Sequence, residues 1–141
     1  MPSSLFAAHN PSTVWQVPDT FRSVYSHAAE ITAAGRVLLI SGQFGVPHDG
    51  SLAADFAPQC EQVMDNVEAL LAAAGMNTVN VVKLIYYATR AADFPALVQI
   101  RQRRWAFNPA PSVTAIAVSA PARPEYLIEI EAIAVAAPGQ G

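Results

Sequence analysis

Residues 28–43 read AAEITAAGRVLLISGQ, and the fold turns on the run VLLIS at 37–41. The stretch reads as strand, turn, strand, with Ala33-Ala34-Gly35-Arg36 as the turn and Gly35 able to take a positive φ. VLLIS has no polar alternation. A continuous apolar run of that length is what a strand covered on both faces looks like. The question it raises is what does the covering.

The elements that follow cover one face only. VPHDGSLAAD at 46–55 is a loop, with Asp49-Gly50 as its turn and His48 exposed beside it. Asp55 is a natural N-cap and Gly75 a natural C′ stop for the helix FAPQCEQVMDNVEALLAAAG at 56–75. Val63, Val67, Leu70, Leu71 and Ala74 form its apolar face. VNVVKLIYYATR at 79–90 is β-branched and aromatic and reads as a strand. A second helix runs through DFPALVQIRQRRWAF at 93–107, with Pro95 in its first turn, where proline is tolerated. SVTAIAV at 112–118 and YLIEIEAIAV at 126–135 are strands, the second with Glu129 and Glu131 on one face. The order is ββαβαββ without an internal repeat. Two helices on one side of a mixed sheet make an α+β layer. The other sheet face has nothing in this chain left to cover it, which predicts an oligomer.

Composition agrees. The chain has 141 residues, enough for one domain: an irregular arm over 1–23 pinned by Trp15 and Phe21, a body over 24–137, and a tail over 138–141. It is 52% hydrophobic and 13% charged, against about a quarter charged in ordinary soluble domains. With net charge −3 and one small basic cluster, Arg101, Arg103 and Arg104 on a solvated helix face, nucleic acid is not an expected partner. The single Cys60 excludes an intrachain disulfide and reads as a packed helix residue in a reducing, cytoplasmic setting. MPSSLFAAHN does not look like a signal peptide, and no apolar stretch reaches membrane-spanning length. His9, His27 and His48 are not at metal-ligand spacing, and nucleotide-loop motifs are absent, so neither metal nor cofactor is expected.

Four features are candidates for chemistry. Ser41-Gly42-Gln43 follows the buried strand, where glycine would admit a ligand to the backbone; it reads equally as a plain strand end. Tyr25-Ser26-His27 opens a strand, and the phenol is either a pocket cap or a packed aromatic. Glu129 and Glu131 are either proton-handling carboxylates in a half-buried site or solvated edge residues. Pro111–Val118 is either site or core wall.

Together these pieces resemble the reactive-intermediate deaminase family, also called the YjgF/YER057c/UK114 or Rid family. The likeness spans roughly 24–136 and rests on YSHA at 25–28, LLISGQ at 38–43, Asp55-Phe56…Gln59 through AAAG at 72–75, VVKLIYYAT at 81–89, DF at 93–94 and IEIEAIAV at 128–135, in that order and spacing. The resemblance implies a chorismate-mutase-like fold with a mixed six-stranded sheet, two helices on one face, and a homotrimer whose sheets close into a central barrel. It implies a ligand cleft at each subunit interface and cofactor-free hydrolysis of enamines and imines such as 2-aminoacrylate. It places Tyr25, Ser41 and Gly42 in the cleft, Glu129 as the residue that positions the attacking water, and a polar helix residue at Val98 or Gln99. Phe44, Thr114 and Ala115 are further cleft candidates.

The pattern departs at one place. The family has proline, a small residue, arginine, then Ser or Thr, where this chain has Pro111-Ser112-Val113-Thr114; a register shifted by two puts Pro111 at the arginine position instead. The guanidinium fork suits a substrate carboxylate. Arg123, in the next loop, gives no reason to take its place. Losing one side of such a buried pair costs about 2–5 kcal/mol, roughly thirtyfold or more in affinity. The cleft should be more apolar, with Phe44, Trp105 and Ile116 adding to it. Two functions follow as expectations: a hydrolytic deaminase for a neutral, larger or aromatic imine or enamine, or a non-catalytic small-molecule-binding or scaffold trimer. An endoribonuclease would need a basic footprint that the chain lacks.

Overall fold

The computed structural model describes residues 5–32 and 34–139. Its elements are β1 (Phe6–His9), β2 (Ala28–Ile31), β3 (Arg36–Phe44), α1 (Phe56–Ala73), β4 (Val81–Ala88), α2 (Phe94–Arg104), β5 (Ser112–Ala117) and β6 (Ile128–Ala136). A four-stranded mixed sheet runs β3-β6-β4-β5, antiparallel except for β4 with β5, and both helices lie on one face. The α+β layer and the helix–strand order from β2 onward are as expected.

Alternation sorts the strands between the two faces. Ile40 of β3, Leu84, Tyr86 and Ala88 of β4, and Ile128, Ile130, Ala132 and Ala134 of β6 join the core with α1 and α2. From α1 that core takes Phe56, Cys60, Val63, Met64, Val67 and Leu71. Leu70 stands off it, half exposed. Cys60 is fully buried, and burial pushes its thiol up to about 12, so it packs and does not react. Gly75 ends α1 at φ 71°, as its C′ role requires. Asp55 occupies the N-cap position, but its side chain makes no capping bond.

Four expectations about the strands and the arm need correction. The six strands do not form one ladder: β1 and β2 are a separate antiparallel pair, linked to the main sheet by one isolated parallel bridge, Ser26 with Ser112. Gly35 does not adopt positive φ, because β2 turns away to β1 and no tight β2–β3 hairpin forms. The arm is not irregular throughout, since Phe6–His9 pairs with Ala28–Ile31. Finally, Leu5, Phe6 and Val17 are the buried residues of the arm, while Trp15 is 73% exposed.

The arginine cluster is not a solvated face. Arg101 is fully buried, and Arg104 reaches across to Glu61, Asp65 and Glu68 of α1. Only Arg103, paired with Glu61, is largely exposed. The opposite sheet face is covered only in part: Leu5 and Phe6 of the arm bury Val82 and Val135 there, while Val37 is 57% and Leu39 72% exposed, with Ile116 also uncovered. No helix among the described residues is long and apolar enough to cross a membrane.

Candidate functional site

The candidate residues divide into two groups on opposite faces of one sheet. The first gathers where β3 runs beside β6. Ser41-Gly42 is not a strand end but a bulge within β3, where the register slips between Ile40 and Gln43. The slip lets the Glu129 side chain lie over Gly42: a Cβ there would stand 1.7 Å from Glu129 Oε2. Ser41 is exposed on the open face, its carbonyl accepting from Gln43 Nε2 at 2.9 Å. Phe44 pairs with Glu129 in the ladder, and its ring stacks on Tyr126 at 4.5 Å.

Two amides, the buried Gln59 and the half-buried Asn66, hold this corner. Asn66 Nδ2 donates to the carbonyls of Phe44 (2.9 Å) and Val46 (3.0 Å). Gln59 Nε2 donates to Ala53 O and Glu125 O, while its Oε1 accepts from Leu127 N at 2.8 Å, just before β6. Burial raises the Glu129 carboxyl above the usual carboxylate range, and the neighbouring charge of Glu131 adds to that. Glu131 accepts from the Tyr87 hydroxyl.

The second group lies on the helix side at the β5 edge. Ser26 fastens the Tyr25 segment to the strand entry, its N–H donating to Pro111 O (2.9 Å) and its Oγ to Ala110 O (2.7 Å). This brings Tyr25 beside Val113. Both line a cavity of about 310 Å³ with Ala115, Tyr86 and the α2 residues Phe94, Leu97 and Val98, roofed by Trp15 and Phe21.

Several candidates fall elsewhere. Thr114 points to the open face, where its hydroxyl accepts from Lys83 Nζ at 3.0 Å, as does Ser112 at 3.1 Å. Ile116 is on that face too and does not join the Val113 cavity. Trp105 is buried and donates to Glu68 at 2.8 Å. Arg123 is exposed beside Glu125. Among the described residues, no group of three His, Cys, Asp or Glu side chains converges as a metal-ligand set.

Two features escaped the sequence reading. Tyr86 lines the cavity, and Arg101 lies behind it, its Nη1 donating to Ser23 O at 3.0 Å and its guanidinium 4.3 Å over the Phe107 ring. The signal for Arg101 was present: it follows Leu97 by four residues, on the same inward stripe of α2.

Known proteins are similar to this chain in sequence and in fold. The profile of the family described as Endoribonuclease L-PSP matches residues 19–136. A RutC family protein of Pasteurella multocida is 38% identical over 106 residues, 73% of this chain and 82% of that one. An Escherichia coli K12 protein whose name includes "reactive intermediate deaminase TdcF" is 30% identical over 103 residues, 72% of this chain and 80% of its own. The crystal structure of YyfB, a Rid family protein of Yersinia pestis, superposes with a TM-score of 0.80 at 32% identity, covering 94% of this chain and 99% of that one.

Proposed function

This chain belongs to the YjgF/YER057c/UK114 (Rid) family, whose profile is described as Endoribonuclease L-PSP, and from that premise we propose that it is a homotrimeric, hydrolytic deaminase-like protein acting on an imine or enamine other than 2-aminoacrylate. One observation carries the reading. Glu129 over Gly42 and the Tyr25–Val113 cavity face opposite sides of one sheet, so no single chain can bring them to one substrate. A second copy laid on the open face, over Val37 and Leu39, would complete a cleft between subunits and cover the exposed apolar strand.

In that cleft Glu129 acts as general base. It takes a proton from water as the oxygen adds to the C=N carbon, and the nitrogen gains a proton. The carbinolamine then expels ammonia, so that imine and water become carbonyl and ammonia. A half-buried carboxylate with a raised pKa suits this step, because its basicity lies closer to working pH. Val113 gives no anchor to a small substrate carboxylate, which argues against 2-aminoacrylate.

The test is release of carbonyl product from imines generated in situ, with and without the protein. Larger or aromatic imines should turn over faster than in buffer, 2-aminoacrylate should not, and Glu129→Gln should remove the acceleration. Rates equal to buffer for every imine would leave the protein a binding trimer. Val113→Arg should confer activity on 2-aminoacrylate if the remaining machinery is competent.

A further inference from the structure

One carboxylate on the sheet face away from the helices is turned from its natural partner. Along β4 that face presents Lys83, Ile85 and Tyr87, and along β6 their ladder partners Ile133, Glu131 and Glu129. Glu131 therefore has Lys83 on one diagonal and Tyr87 on the other. Diagonal neighbours, about 7–8 Å apart, are within reach of side chains this long. Coulomb attraction favours the ammonium. Glu131 nevertheless accepts from the Tyr87 hydroxyl, while Lys83 Nζ donates to Ser112 Oγ at 3.1 Å and Thr114 Oγ1 at 3.0 Å.

The consequence falls on Glu129, the ladder partner of Tyr87. β6 lies between β3 and β4, and its two carboxylates part: Glu131 leans to Tyr87 of β4, Glu129 to Gly42 of β3. Like charges on neighbouring positions separate in this way. They still feel each other, since burial raises the Glu129 carboxyl and the charge of Glu131 adds to it. The bond to Glu131 raises the Tyr87 phenol, with partial burial and the charges of Glu131 and Glu129 adding to it, so Tyr87 keeps its proton and stays the donor. The remaining surroundings do not titrate or are engaged elsewhere. β3 contributes Ser41, Gly42, Gln43 and Phe44 on that side; Tyr126, just before β6, stacks on Phe44; Lys83 is held by β5.

We propose that Tyr87 and Glu131 are positioning residues for Glu129: the phenol pins the Glu131 carboxylate toward β4, and that fixed charge keeps Glu129 over Gly42 as the proton-accepting group of this face. Tyr87 acts only through Glu131. The pair deepens the proposed function and rests on it only in taking Glu129 as the base.

A carbon-13 NMR titration of the glutamate carboxyls in the full chain needs no substrate and reads Glu129 directly, with Glu129→Gln identifying its signal. In the wild type its midpoint should lie above an ordinary glutamate's. Glu131→Gln should lower that midpoint by about half a pH unit or more, the effect of one charge at this separation near water. Tyr87→Phe should lower it by a smaller step, because the freed Glu131 turns to Lys83. In the Glu131→Gln background Tyr87→Phe should change nothing further. The ascending limb of the imine-hydrolysis profile should move with these midpoints. A Glu129 midpoint indifferent to Glu131→Gln would overturn the inference. So would a Tyr87→Phe shift that persists undiminished once Glu131 is gone, since the phenol would then act on Glu129 by itself. Midpoints that move as expected in a protein that turns over no imine would uphold the pair and overturn the hydrolytic reading, so the two fail separately.

Discussion

Glu129 and Gly42 act as a pair at the level of single residues. The glycine exists for the carboxylate, because any side chain at 42 would occupy its place. Gly42→Ala should therefore lower turnover strongly. Its effect on stability should stay below about 1 kcal/mol by chemical denaturation, since the obstructing atoms are the end of one flexible side chain. The raised Glu129 carboxyl makes stability depend on pH. The folded state holds the proton more tightly than the unfolded chain, so this group favours folding less as pH rises through that window. Glu129→Gln should thus keep or raise the melting temperature at pH 7 while removing activity, and the ascending limb of the wild-type rate profile should lie above an ordinary glutamate's titration. Sequence reading reached Glu129, Gly42 and Val113 through spacing and resemblance. It missed Arg101 because a charged residue in a run of arginines looks solvated, and only its place four residues beyond Leu97 argued otherwise.

The elements place those residues by a few clamps. Gly45, just past β3, lies against the backbone of α1: a Cβ would come within 2.6 Å of Gln59 O. Unlike Gly42, it meets atoms that cannot swing aside. Gly45→Ala should cost about 1–3 kcal/mol in denaturant unfolding, as overpacking does, and should loosen Glu129 as well. Both helices and five of the six strands were legible, since their periodicity or local turn signals are strong. β1 was not. Four residues, FAAH, carry no pattern of their own and become a strand only by pairing with residues 28–31, 19 to 25 positions away. The same pairing removed the β2–β3 hairpin that Gly35 suggested.

For the whole molecule the open face decides behaviour. The unbroken apolar run at 37–41 predicted cover on both sides; within one chain Leu38 and Ile40 are covered, while Val37 and Leu39 are not. Leu39→Glu should leave the helix–sheet core folded, because Leu39 contributes nothing to it. It should also convert the proposed trimer to a species near 15 kDa in sedimentation, with the proposed imine hydrolysis lost in parallel. Wild-type protein sedimenting as a monomer would end the interfacial reading. The apolar surface argues for a partner copy, and the expectation of three copies comes from the family resemblance.

That the two halves of the site lie on opposite faces of one sheet has a genetic consequence. A chain defective only at Glu129 and a chain defective only at the Tyr86 cavity each keep the half the other lacks. Co-expressed, two inactive alleles should complement, with about one cleft in four whole if subunits mix freely. Both lesions placed in the same polypeptide should not be rescued by one another.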